Sequence, residues 1–131
     1  MSMMIFMSPE HVARMNELLA VDAASKTACA ALDRRWNVVY ELSEGTGTVW
    51  WTMRFDPAEG VTFNLLPPES PADILFRGDH RAVLDVMRRL KAGDKEATLP
   101  LTQSGDPNGM AAIATAYQAA HAAAAIHTEI P

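Results

Sequence analysis

The sequence predicts an α+β domain: a mostly antiparallel sheet of about five strands covered by helices. Three observations predict it. First, Val49, Trp51, Met53 and Phe55 alternate with Trp50, Thr52 and Arg54, so one face of this run carries four large apolar groups that need covering. Second, Trp36, Val38, Tyr40 and Leu42 alternate before it, and Val61, Phe63 and Leu65 after it. The joins, 44–47 and 56–60, are short and rich in Gly, Pro and Asp, which makes the three runs a meander. Third, the flanking stretches carry helix start signals followed by apolar residues at helical spacing.

In chain order, Ser8-Pro9-Glu10 combines a capping hydroxyl, a proline suited to the first helical position and an acid at the positive end of the dipole. Val12, Met15, Leu18 and Leu19 then mark an amphipathic helix over 9–20. Asp22 caps a weaker, Ala-rich segment over 23–32. The meander strands fall at 35–43, 48–56 and 60–66. Pro67, Pro68 and Pro71 bar regular structure and lead stiffly to a fourth strand over 72–77. Asp79 caps a helix with its stripe at Val83, Val86, Met87 and Leu90, closed by Gly93. A fifth strand is expected over 97–102, placed at an edge or bulge by Pro100. Asp106-Pro107 repeats the helix start, and 107–125 is helical with Met110, Ile113, Tyr117, Ala120 and Ala124 inside. The Ala-rich remainder has high propensity but little apolar area. The tail, 126–131, is expected to fray.

At 131 residues one domain is expected, large enough for a real core. A net charge of −5 argues against nucleic acid, whose binding needs a basic surface. Arg34-Arg35 and Arg88-Arg89-Lys91 read as solvated helix ends. The single cysteine, Cys29, excludes an internal disulfide and favours a reducing compartment, so cytoplasm is expected. Its Ala-rich helical setting makes it a small buried side chain rather than a nucleophile. No stretch reaches membrane-spanning length, and the apolar start lacks the features of a signal peptide. Eight methionines are many for this length, and Met suits surfaces that adapt to varied ligands.

Catalytic and metal chemistry leaves no pattern. His11 and His80 sit in first turns of helices, exposed or beside a cap, and His121 and His127 in the last helix. No pair has metal-site spacing. Gly45-Thr46-Gly47 is a hairpin turn rather than a phosphate loop, Ser43, Ser70 and Ser104 lack a nucleophile elbow, and Asp73 and Asp79 are candidate neighbours without cause for a raised pKa. No cofactor and no metal is expected, and an enzyme is the least favoured reading.

The order and spacing of these elements resemble the sterol carrier protein type 2 superfamily of lipid-binding domains. The meander over 36–66 is similar to that family's first three strands. Ala72-Asp73-Ile74-Leu75-Phe76-Arg77-Gly78-Asp79, followed by Val83, Leu84 and Met87, is similar to its strand and short helix. The stretch from Thr98 to Gly105-Asp106 and the last helix resemble its closing strand, turn and C-terminal helix. The resemblance covers 33–125, with Ala92 to Glu96 shorter than the family's stretch there. It implies a single domain over 1–131, with N-terminal helices over 9–32 and the sheet and its helices over 33–125. It implies fold ahead of activity, because the family also includes domains of enzymes and accessory proteins.

The expected function is non-catalytic binding or carriage of a lipid or other hydrophobic molecule (sterol, fatty acyl or quinone-like) in a tunnel between sheet and helices. Rings on the sheet facing mostly methyl groups on the last helix leave volume unfilled. The expected lining is Trp51, Met53, Phe63 and Phe76 from the sheet, Val83, Met87 and Leu90 from one helix, and Met110, Ile113 and Tyr117 from the last. The alternative is a closed core in an accessory or regulatory domain that acts through a protein partner or as a homodimer. An exposed Trp50 would mark that interface. Membrane contact is expected to be transient at most and to use the apolar end at residues 3–7.

Overall fold

The computed structural model describes residues 4–131. In order, its elements are β1 (Met4–Ile5), α1 (Pro9–Ala20), α2 (Ala23–Ala30), β2 (Trp36–Glu44), β3 (Gly47–Asp56), β4 (Gly60–Asn64), β5 (Ile74–Asp79), α3 (His80–Lys91), β6 (Thr102–Gly105), α4 (Gly109–Ala123) and β7 (Thr128–Glu129). The main sheet has five strands in the order β4-β3-β2-β5-β6. All of its neighbours are antiparallel except β2 and β5, which run parallel. The fold is therefore α+β, as the sequence predicts.

The register follows from the alternation. Trp36 faces Phe55, Val38 faces Met53, Tyr40 faces Trp51 and Leu42 faces Val49. Trp36, Val38, Leu42, Trp51, Met53 and Phe55 are buried. A one-residue slip would have turned all of them outward. Trp50 is half-buried on the opposite face rather than exposed, and the buried clusters that include helix residues contain none of Trp50, Val39 or Leu75. The helices thus pack on the face of Trp51.

Caps set the helix starts. Ser8 Oγ accepts from the amide of His11, Asp22 from that of Ser25 and Asp79 from that of Ala82. The turn between β3 and β4 is built on Asp56. Its Oδ1 accepts from the amides of Ala58 and Glu59 at 2.8 and 2.9 Å, and its Oδ2 from Arg35 Nε at 2.8 Å.

Five expectations need correction. The stretch 97–101 is not a strand; β6 begins at Thr102. Pro100 has no N–H to give a ladder, and the amide of Leu101 turns back on the carbonyl of Leu99 at 2.9 Å, a tight turn around Pro100. That turn passes so near β5 that a Cβ on Gly78 would lie 2.6 Å from the Pro100 carbonyl oxygen. The last helix begins at Gly109, not at Pro107. Asp106 Oδ1 accepts from the amide of Asn108 in a turn instead of capping a helix, and the helix starts where Gly109 fits under Ile74, with room for no Cβ.

The tail does not fray. β7 pairs in parallel with β1, and the amide of Phe6 donates to the Glu129 carbonyl at 2.8 Å. Lys91 Nζ donates to the Thr128 carbonyl, and Arg81 and Arg88 to that of Pro131. A pairing between the two ends of the chain leaves no local signal. It also means that residues 4–7 are not a free apolar end; Met3 lies outside the described residues. Lastly, Asp73 and Asp79 are not neighbours. They flank opposite ends of β5, where Asp73 binds the Asn37 amide at 2.6 Å and Arg34 at 3.0 Å.

The candidate binding cavity

The buried core divides into two clusters. One gathers Trp36, Val38, Phe55, Ile74 and Ile113 with α1 and α2; the other gathers Leu42, Trp51, Val83 and Leu84. Met7, Tyr40 and Leu65 pack against both. Between them lies a cavity of about 340 Å³. That is the lower end of the range of ligand pockets, and the cavity is partly open to the surface.

Each wall has a local cause. The sheet contributes Tyr40, Trp51, Met53 and Phe63, all from the covered face. The segment into α1 contributes Phe6, Met7, His11 and Met15, and α3 contributes Val83 and Met87. Leu99 and Leu101 reach it from the turn around Pro100. From α4 come Tyr117 and His121, and beyond it Ala124, Ala125, Ile126 and Thr128. Four methionines line it, and no Lys, Arg, Asp or Glu among the described residues does. The rings interlock. Phe6 meets Trp51 edge-on, Tyr40 lies 5.9 Å from Trp51, and Phe76 stacks on Tyr40 at 4.7 Å.

A second, shallower pocket of about 310 Å³, open to the surface, lies against the same wall. It shares Phe6, Met87, Leu99, Ile126 and Thr128 with the first and adds Leu90, Lys91, His127 and Ile130. Those five shared residues form a partition.

Of the ten residues expected from the sequence, six line the first cavity: Trp51, Met53, Phe63, Val83, Met87 and Tyr117. Four do not. Phe76 lies behind Tyr40, Leu90 is exposed and lines the second pocket, Met110 packs half-buried on the first cluster away from the cavity, and Ile113 is fully buried within that cluster. Apart from Tyr117, the residues of α4 and beyond that face the cavity lie a turn and more past the expected Met110 and Ile113, because Gly109 brings the start of the helix tight onto Ile74.

The polar groups of the lining are few. His11 is 4% exposed, and its Nδ1 accepts the amide of Met7 at 2.9 Å. Burial holds the imidazole below its usual pKa. The expectation of an exposed His11 is thus corrected: it is beside a cap but buried. Burial likewise pushes the Tyr40 phenol well up, with the nearby Tyr117 hydroxyl adding to the effect. His80 sits edge-on to Trp51, with Nδ1 3.0 Å from Glu44 Oε2 but out of line for a hydrogen bond. His127 lies past the end of α4. Cys29 is buried, and burial raises its thiol pKa, the opposite of what a nucleophile needs.

Sequence reasoning missed His11, Met7, Met15 and Tyr40. Tyr40 was within reach, since a two-residue turn at 45–46 places it opposite Trp51. The methionine surplus was the one hint of the rest.

The chain has the fold of sterol carrier protein 2. It is similar to the crystal structure of sterol carrier protein 2, with 14% identity, 93% of this chain and 99% of that chain covered, and a TM-score of 0.52. It is also similar to the solution structure of a conserved hypothetical protein from Thermus thermophilus described as a candidate sterol carrier protein. There the identity is 17%, the coverage 95% and 90%, and the TM-score 0.53. No family model and no curated protein matches the sequence.

Proposed function

We propose that this protein binds a lipid or another hydrophobic small molecule, of sterol, fatty acyl or quinone type, and carries it without chemical change. The observation behind this reading is the cavity itself: about 340 Å³, walled by rings, aliphatic groups and four adaptable methionines, with no Lys, Arg, Asp or Glu among the described residues that line it. The fold shared with sterol carrier protein 2 supports the same reading. Among the described residues no helix is long and apolar enough to cross a membrane. We place the protein in the cytoplasm and take membrane contact to be transient.

The reading in which a closed core acts through a protein partner has the cavity against it, and Trp50 is not the exposed anchor it would need. Native mass spectrometry of the purified protein, followed by uptake of a fluorescent fatty acyl or sterol probe, tests the proposal. A co-purifying apolar molecule or saturable uptake is expected. Failure of both would return the weight to the partner reading.

A further inference from the structure

The cavity contains one polar group whose orientation is fixed from behind. His11 is nine-tenths buried, lines the cavity and accepts the Met7 amide on Nδ1 at 2.9 Å. A nitrogen that accepts a hydrogen bond carries a lone pair, so in the neutral ring the proton sits on Nε2. Nε2 has no hydrogen-bond partner among the described residues, and it is not sealed from accessible space. The donor is therefore held in place without an acceptor. No Lys, Arg, Asp or Glu among the described residues lines the cavity, and its only other titratable lining groups are His121 and the phenols of Tyr40 and Tyr117. An anionic head group inside would lack a counter-charge, at a desolvation cost that its chain would have to offset. An uncharged oxygen meets no such penalty and would satisfy the waiting donor.

We propose that His11 selects the ligand's chemistry, accepting into the cavity a neutral lipid that presents a carbonyl or hydroxyl oxygen to Nε2–H, and disfavouring carboxylates and phosphates there. This rests on the reading of the cavity as a ligand site. The lowered pKa of the buried ring supports it, since the neutral tautomer then persists at neutral pH.

The test uses the full chain and three probes of matched length: dodecane, dodecanoate and the corresponding methyl ketone. Affinities are measured at neutral pH for the wild type and for His11→Phe. The ketone should bind the wild type more tightly than dodecanoate. The ratio of ketone to dodecane affinity should fall about tenfold in His11→Phe, the worth of one buried hydrogen bond and the penalty for an unmet donor. An unchanged ratio would overturn the proposal and shift the role to Tyr40 or Tyr117. Dodecanoate binding as tightly as the ketone would also overturn it. Binding of none of the probes would instead overturn the ligand-site reading as a whole. Because His11 also holds Met7, the variant could fail to fold. The wild type then decides by nitrogen-15 NMR: the Nε2–H resonance of His11 should shift on adding ketone and not on adding dodecane, and no shift with bound ketone would refute the assignment.

Discussion

The ring of Phe6 meets the ring of Trp51 edge-on, with centroids 5.5 Å apart and planes at 89°. Trp51 belongs to the strand with the strongest sequence signal, and Phe6 to a segment held by the far end of the chain. This contact, with Met7 and Ile130 packed on the same cluster, ties the β1–β7 strap to the sheet, and Phe6 stands in the partition between the two pockets.

Truncating Phe6 to Ala should therefore join the cavities. The half-buried ring should cost roughly 2 kcal/mol, below the 3–5 kcal/mol typical of a fully buried Phe. Probe release, followed by stopped-flow fluorescence, should become faster. A variant that loses stability but releases probe at the wild-type rate would show that the partition does not control exit.

Two substitutions to tryptophan separate cavity from core. Ile113 is fully buried and does not reach the cavity, so Ile113→Trp has nowhere to go and should cost about 1–3 kcal/mol. Met87 faces both cavities, so Met87→Trp should fill space that is already there, change the melting temperature little and abolish probe uptake. Equal destabilisation by both, read by thermal melts, would contradict this division between cavity and core.

These contrasts show what was legible in the sequence. The sheet register was, because alternation at period two fixes every face at once once Trp51 is known to be covered. Six lining residues followed from it and from the helical stripes. Ile113 and Met110 were placed wrongly because periodicity gives the face of a helix but not how closely it docks. That distance is set by Gly109 under Ile74, a contact between residues far apart in sequence. The strap was invisible for a related reason. Two residues at each end pair with one another, and neither pair shows alternation long enough to read. His11 looked like an ordinary first-turn residue, and only the path of Met7 shows that its ring faces inward.

Acid should weaken the fold in two separable steps. His11 has a folded-state pKa below the ordinary 6.5, so between those values the unfolded chain binds more protons than the folded one. Stability then rises with pH across that window and falls as pH drops through it. Protonation would also place a proton on Nδ1, where the Met7 amide already donates. Asp56 acts in the same direction at lower pH. The amide of Glu59, the Arg35 guanidinium and the amide of Ala58 hold its carboxyl below the ordinary 3.8, so its contribution is present above that value and lost as pH falls through the lowered one. Urea unfolding from pH 8 to pH 3 should show the first step and the onset of the second. His11→Gln should remove the first and Asp56→Asn the second; a stability profile flat between pH 7 and pH 5 in the wild type would rule out the His11 step.

The strap should govern access more than affinity. Lys91 Nζ binds the Thr128 carbonyl, Arg81 and Arg88 bind that of Pro131, and the amide of Phe6 closes the pairing on Glu129 at 2.8 Å. All three cations come from α3. These are charge-assisted bonds at the surface, so each contributes modestly to folding, while together they hold the β1–β7 pair over the partition. Lys91→Ala should accordingly leave the global stability within about 1 kcal/mol of the wild type. It should speed hydrogen exchange of the Phe6 amide, whose partner Glu129 it loosens, and leave the amides at the centre of β3 unchanged. Probe association and dissociation should both quicken, so that the equilibrium affinity moves little. Faster exchange throughout β3 would show instead that Lys91 supports the whole fold. An affinity loss with unchanged association rate would place its effect in the bound state rather than at the entrance.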